Sequence, residues 1–455
     1  MRRALRHPAR LVPLAFLAFI LAGAVLLMLP VSTETPEAAP PLTALFTSVS
    51  AVCVTGLVVV DTSTYWSGFG EAVITVLIQV GGFGIITAGT LLGLLTAGRM
   101  RLRGRLLAAS ENQALSLGDI GGVVRRIALI TVSVEAVVAL VLFLRFRYHY
   151  DFPVGEALWY GVFHAVSSFN NAGFGLEADS LMQWVTDPVV TLPLTVAIVI
   201  GGIGFPVIVE VLRKSRLTRA IRGDRRRRPS PGWSVHTKLT LLTTGILLLV
   251  GFGAYAVFEW SNPATLGPLN PGEKLWAAFV AGVQPRTAGF NNLSMADLTH
   301  ETWMVTDALM FIGGGSSSTA GGIKVTTFAL LAVVIWSEIR GEPDVAVFGR
   351  KIPGPTQRQG LTVALLGVAV VAVGTALVMI DTEFTLDQVL FESISAFATV
   401  GLSTGITAAL PPGSQLVMIV LMFAGRVGIV SFAAALALHS RQRRYSFPEE
   451  RPLVG

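Results

Sequence analysis

Four glycines in this chain sit in one repeated setting. Each follows a Phe by ten residues and precedes a Leu or a Phe, in FTSVSAVCVTGL, FHAVSSFNNAGF, FVAGVQPRTAGF and FESISAFATVGL. They are Gly56, Gly173, Gly289 and Gly401, spaced 117, 116 and 112 residues apart. Just before them stand Val54-Thr55, Asn171-Ala172, Thr287-Ala288 and Thr399-Val400. None of these side chains carries a charge, so the chemistry on offer is that of backbone oxygen. A ring of carbonyls replaces the water around a dehydrated cation, and Gly tolerates the dihedrals and the close approach that such a ring requires. One such segment alone would say little, because Gly also lets membrane helices pack closely. Four in register, each with its Phe at the same distance, imply four copies of one structural unit around a pseudo-fourfold axis.

The elements needed to hold such a ring are legible on either side of it. Each unit reads as span, short helix, Gly segment, span. Asn270-Pro271-Gly272-Glu273 offers an Asn N-cap, a Pro at the first helical position and a Glu three residues after the cap; Thr385-Leu386-Asp387-Gln388 is a second capping box. Pro153 leads into Glu156 in the second unit, and Pro40-Pro41 into Leu42-Thr43 in the first. Each short helix is expected to last about a dozen residues, too few to cross a bilayer, which takes about 20. It must be re-entrant, and its C-terminal end, partially negative, then favours a cation at the membrane centre.

Hydrophobic residues make up 52% and charged residues 14%, with a mean hydropathy of +0.66, which excludes an ordinary soluble domain. Residues 11–30, 72–98, 188–209, 239–258 and 359–380 are free of charge, and 127–144 carry only Glu135. Residues 302–336 and 414–440 are longer and interrupted, each with one buried-looking cation, Lys324 and Arg426. The expected fold is an all-α polytopic membrane protein with eight transmembrane helices. These fall in four span–pore-helix–filter–span repeats, at 11–98, 126–213, 239–336 and 359–440. The first apolar stretch is too long for a secretory leader and is expected to stay as a span.

The formal net charge of +6 speaks to orientation. Lys and Arg crowd into the N-terminus, 99–126, 213–238, 340–358 and 441–444, whereas the connections that hold the Gly segments carry few, among them Lys274 and Arg286. Both termini and the inter-repeat loops are therefore expected in the cytoplasm. The four arginines at 225–228 lack the aromatic interleaving of a nucleic-acid site and read as a cytoplasmic anchor. The lone Cys53 excludes an internal disulfide and reads as a packing residue behind the first Gly segment.

A second glycine series, Gly81, Gly201, Gly313 and Gly425, follows the first, with another Gly three residues on at Gly84, Gly204 and Gly428. This spacing suits spans that bend or approach the axis. The third unit departs from the rest. Every residue from Gly313 to Gly322 is Gly, Ser, Thr or Ala: Gly313, Gly314, Gly315, Ser316, Ser317, Ser318, Thr319, Ala320, Gly321, Gly322. Such a run should interrupt its span, and a break at membrane depth is tolerated where it faces water. Below a ring of carbonyls it would be a movable obstruction, although a passive kink has the same composition. Intramembrane charges face cavities or partners. Arg426 is expected to act as a barrier or as a latch on the broken segment, with a salt bridge to Glu392 or Asp307 as the structural alternative. Lys324 is expected to anchor the segment, and Arg286 to brace the third Gly segment from behind.

The strings VTGL, NAGF, TAGF and TVGL resemble the four filter sequences of the Trk/Ktr/HKT superfamily of potassium transporters, and the likeness runs through nearly the whole chain. Eight spans without extra N-terminal helices look most like the bacterial Ktr membrane subunit. The resemblance implies potassium uptake through a gated filter, a homodimer with one pore per protomer, and a cytoplasmic ring of nucleotide-binding regulatory subunits. It implies potassium as the transported ion; sodium as an activator, symport coupled to sodium or protons, and a less selective monovalent cation pore stay open as alternatives, and no organic cofactor is expected on this chain. Gly at all four filter positions favours potassium over sodium. An enzyme fits poorly: the six His are scattered without metal-ligand spacing, Gly314-Gly315-Ser316 lacks a His partner, and no phosphate-binding Gly-Lys-Ser/Thr motif is present. A secondary transporter with alternating access would show two halves rather than four equivalent loops.

Overall fold

The computed structural model describes residues 8–98, 120–214 and 232–428. The basic stretches at 99–119, 215–231 and 441–444 lie outside them, as does the last part of the expected eighth span. The described residues are mainly helical, and among them one two-stranded hairpin pairs Ala346–Val347 with Arg350–Lys351.

The first quarter holds α1 (Pro8–Leu27), α2 (Pro41–Cys53) and α3 (Gly68–Gly98); the second holds α4 (Ile120–His149), α5 (Val154–Phe169), α6 (Pro188–Ile203) and α7 (Phe205–Lys214). The third holds α8 (Val235–Phe258), α9 (Pro271–Val283), α10 (His300–Phe311) and α11 (Val325–Ile339); the fourth holds α12 (Gly354–Ile380), α13 (Leu386–Ala398) and α14 (Pro412–Phe423). Short helices start where the sequence signals them. Pro41 opens α2, and the Asn270 amide donates to Glu273 Oε2 at 3.0 Å. At α13 the Gln388 amide donates to Thr385 Oγ1 at 3.4 Å, and Gln388 Oε1 accepts from the Thr385 amide at 3.2 Å. Helices of 13 residues, like α2, α9 and α13, reach only about 20 Å.

Packing repeats from quarter to quarter. In each, the first long helix lies along its own short helix: α1 on α2, α4 on α5, α8 on α9, α12 on α13. The helix after each Gly segment then packs on the short helix of the next quarter, α3 on α5, α6 on α9, α10 on α13, and α14 back on α2. The last contact closes the circle. All four short helices are consequently buried over their C-terminal halves, including polar residues such as Ser48, Ser168 and Ser393.

Among the described residues four helices, α3, α4, α8 and α12, are long and apolar enough to cross a membrane, and α6 with α7 makes a fifth if the bent pair counts as one span. The other three expected spans are shorter or interrupted among the described residues. The apolar part of α1 covers Val12–Leu27, the sixth is split into α10 and α11, and the eighth is described only to Gly428. Along α4 the exposed side chains include the apolar Leu129, Val132, Val137 and Leu140, which suits contact with lipid.

One expected continuous stretch, 188–209, is not continuous. It bends by 100° between α6 and α7. Gly204 at the corner has φ +101°, and a Cβ there would stand 2.5 Å from the Ser316 carbonyl oxygen of the broken third-quarter segment. Phe205 donates its amide to the Ser317 carbonyl at 3.2 Å. The bend is thus dictated by a partner from another quarter.

At the end of α8, just beyond the span, Glu259 gathers the next connection. Its carboxylate accepts from Thr302 Oγ1 (2.5 Å), Thr265 Oγ1 (2.7 Å), Asn262 Nδ2 (2.7 Å) and the Thr299 amide (2.9 Å). Burial pushes its pKa up, but the bonds from Thr302, Thr265, Thr299 and Asn262 outweigh this and hold it below the ordinary value of 4.5. A lowered carboxyl pKa stabilises the fold above the unfolded value, and the gain is lost as pH falls through the folded one. Glu259→Gln is therefore expected to flatten the fall in thermal midpoint below about pH 4.3. An unchanged acid slope in the variant would show that another group causes it.

Candidate functional site: a closed ring of four glycine segments

The four Gly segments meet. A Cβ on Gly56 would collide with the Ala172 carbonyl oxygen, one on Gly289 with that of Val400, and one on Gly401 with that of Thr55. On Gly173 it would stand 2.9 Å from the Ala288 carbonyl oxygen and 2.7 Å from Gly289 Cα. Each Gly therefore abuts the residue preceding the Gly of the next quarter, in the order first, second, third, fourth, first. Side chains would not fit between these backbones.

Backbone hand repeats as well. The glycines have φ of +91°, +70°, +75° and +96°, and the residues two before them, Val54, Asn171, Thr287 and Thr399, have φ of +56°, +59°, +65° and +50°. Left-handed Val and Thr are strained and persist only where their surroundings fix them. Thr55, Ala172, Ala288 and Val400, between each such pair, are not left-handed. Alternating hand turns successive carbonyls toward one side, whereas an ordinary strand points them to opposite sides. The hydroxyls of Thr55, Thr287 and Thr399 are buried with no protein partner.

A serine four residues after the Phe supports three of the segments. Ser50 Oγ accepts from the Gly56 amide and Ser395 Oγ from the Gly401 amide, both at 3.1 Å; Ser167 Oγ donates to the Phe174 carbonyl at 2.8 Å. The backbone carbonyls of the same serines accept from Thr55, Ala172 and Val400. These serines are not among the site residues expected from the sequence, although their common offset of four residues from the Phe carries the signal. The third unit has Val283 at that place, and its turn closes differently, with the Ala288 amide donating to the Gln284 carbonyl at 3.0 Å.

The broken segment lies against the base of the ring. Gly313 donates its amide to Ile323 and Gly315 to Gly202 of α6. Thr319 Oγ1 donates to Asn171 Oδ1 at 2.8 Å, and a Cβ on Gly321 would collide with Thr399 Oγ1 and the Ala398 carbonyl. The segment therefore touches the second and fourth Gly segments together. Ser318 Oγ donates to the Gly315 carbonyl and Ser316 pairs with Thr326, which folds the segment on itself.

Three cations hold it. Arg426 is buried in a π-helical turn, Ala424–Gly428, and donates from Nη1 to the Thr319 carbonyl. Neither suggested carboxylate is its partner among the described residues; Glu392 is occupied by Ser403, Thr404 and Thr407. Lys324 Nζ donates to the Ala320 carbonyl at 2.6 Å and the Gly321 carbonyl at 3.3 Å, anchoring the segment's exit. Arg286 does not back the third Gly segment's carbonyls. Its guanidinium donates to the Ile312 and Gly313 carbonyls at 2.6 and 2.7 Å, because α10 ends there with carbonyls left unpaired by the break.

Residues 1–446 match the family of TrkH cation transport proteins. The chain belongs to that family. It is 38% identical over 450 residues to the Ktr system potassium uptake protein B of Bacillus subtilis, covering 98% of this chain and 97% of that one. It is 36% identical to the protein of the same description from Vibrio alginolyticus, over 98% of this chain and 94% of that one. The crystal structure of the potassium transporter TrkH from Vibrio parahaemolyticus has the same fold, with a TM-score of 0.72, 18% identity and coverage of 94% of this chain and 84% of that one. This member of the family is a multi-pass membrane protein and not an enzyme.

Its second glycine series serves close approach. Gly81, Gly201 and Gly425 each press on the carbonyl four residues before a ring Gly, those of Val52, Phe169 and Phe397, while Gly313 presses on Gly321 instead. Gly81→Ala is expected to cost about 1–3 kcal/mol by overpacking. Gly245→Ala, with open space around it on α8, should be neutral or stabilising. Thermal midpoints of the two variants in one detergent check this; equal midpoints would refute the packing role.

Proposed function

We propose that this chain is the pore subunit of a potassium uptake system, passing dehydrated K+ along the axis of the glycine ring. The filter is formed by Val54, Thr55 and Gly56, Asn171, Ala172 and Gly173, Thr287, Ala288 and Gly289, and Thr399, Val400 and Gly401. One observation carries this reading: each ring Gly abuts the carbonyl of the next quarter, and the fourth returns to the first. Such closure supplies oxygens on all sides of an axis, as replacement of a hydration shell demands. The short helices end at the ring, so their partial negative ends add to the attraction for a cation.

In this reading the four repeats span residues 11–98, 126–213, 239–336 and 359–440, with eight crossings and both termini in the cytoplasm. The segment from Gly313 to Gly322 is the gate, with Lys324 as its anchor and Arg426 as its latch. Two copies assemble on a cytoplasmic ring of nucleotide-binding regulatory subunits, which moves the gate. The relatives described as potassium uptake proteins of Ktr systems support the substrate and the partner.

The test is growth of a bacterium lacking its own potassium uptake at limiting potassium. Rescue by this chain, stronger with a regulatory subunit of a Ktr system, is expected. Failure in both conditions, with the protein present in the membrane, would refute the proposal. Repeating the assay with and without sodium separates simple conduction from sodium activation or coupling.

A further inference from the structure

We infer that Thr319 is a positioning residue for ion selection, holding the second filter segment in shape through Asn171. The inference rests on the pore reading above and goes beyond a gate that merely blocks.

Thr319 uses all of its polar groups on partners outside its own segment. Its hydroxyl donates to Asn171 Oδ1 at 2.8 Å, its amide to the Gly201 carbonyl of α6 at 3.3 Å, and its carbonyl accepts from Arg426. Asn171 is the left-handed residue of the second segment, two before Gly173, and its side chain is buried. Its Nδ2 donates to the Arg286 carbonyl at 3.4 Å, so the amide bridges the broken segment and the residue just before the third filter segment. The equivalent positions differ. Val54 has no side-chain hydrogen bond to give, and the hydroxyls of Thr287 and Thr399 have no protein partner.

Room for the contact comes from Gly201. A Cβ there would stand 2.9 Å from both Asn171 Oδ1 and Thr319 Oγ1, pushing the pair apart. The pair is therefore built by three elements at once: the second filter segment, the bend-forming helix α6 and the broken segment. Withdrawal of the broken segment takes Thr319 away and releases Asn171. Asn171 then keeps only its amide bond to Ser168 and the long contact from Nδ2 to the Arg286 carbonyl to set the direction of neighbouring carbonyls. Ion discrimination in this chain is thus tied to the position of the gate, and the second quarter is where the tie is made.

The experiment uses the full-length protein in liposomes, with potassium and sodium permeability read from reversal potentials. Thr319→Val removes the hydroxyl and keeps the backbone bonds; the potassium-to-sodium permeability ratio is expected to fall about tenfold, an energy of about 1.4 kcal/mol. Thr319→Ser restores the donor and should restore the ratio. Thr319→Ala, smaller and equally unable to donate, gives the same reading if the valine protein does not accumulate. A wild-type ratio in the valine or alanine protein, whatever its flux, overturns the inference and leaves Thr319 a gate residue only. Absence of potassium flux in the wild-type protein would instead refute the pore reading itself.

Discussion

Gly56→Ser is expected to lower the preference for potassium over sodium by tenfold or more while leaving the protein in the membrane. Gly56 has φ +91°, where an L-residue is disfavoured by about 1–2 kcal/mol. The added Cβ would also collide with the Ala172 carbonyl oxygen. Relief comes from moving that carbonyl, which in the proposed pore is one of the oxygens facing the ion. Since about 1.4 kcal/mol is tenfold in an equilibrium constant, a displacement relieving only part of this strain is enough to change ion choice. Gly173 is less crowded, its Cβ meeting the next carbonyl oxygen at 2.9 Å, so Gly173→Ser should act more weakly than Gly56→Ser. Reversal potentials under a potassium–sodium gradient check both. Unchanged selectivity in the Gly56 variant would remove that residue from the filter.

Arg426→Ala is expected to raise resting potassium flux by about tenfold to a hundredfold. In the proposed pore the guanidinium holds the gate through the Thr319 carbonyl, and a hydrogen bond to a charged group contributes about 1.5–3 kcal/mol. Its Nε and Nη2 are buried without protein partners, so this cation is costly for the fold and poorly explained as a scaffold. Removing it releases the gate and lifts that cost together. Raised flux at an unchanged thermal midpoint supports the latch. Loss of the folded protein, with flux per surviving molecule unchanged, would make Arg426 a structural residue.

The ring was the most legible part of the chain, for a physical reason. A Cβ-free residue at one fixed distance from a Phe leaves a mark wherever the same short helix must stop at the same depth, and Gly56, Gly173, Gly289 and Gly401 all keep it. Local helix starts were legible too, because Asn270 with Glu273 and Thr385 with Gln388 bond within a single turn. What escaped reading depends on contacts between quarters. The 100° corner at Gly204 needs the Ser316 and Ser317 carbonyls from more than a hundred residues away. Arg286 precedes Thr287 in sequence, yet its long side chain reaches past its own segment to the end of α10. Arg426 was recognisable as a cation at membrane depth, but only the fold chooses between a carboxylate and a carbonyl as its partner. The composition of residues 313–322 announced a break; the seat of this segment against the second and fourth segments rests on Thr319, Gly321 and their partners.

The most direct test is to locate a permeant heavy ion. Crystals of the full-length protein grown in thallium, a potassium mimic, should show anomalous density on the axis enclosed by the carbonyls of Thr55, Ala172, Ala288 and Val400, replaced when potassium is added back. Thallium bound elsewhere in the membrane region, with none inside that ring, would contradict the account.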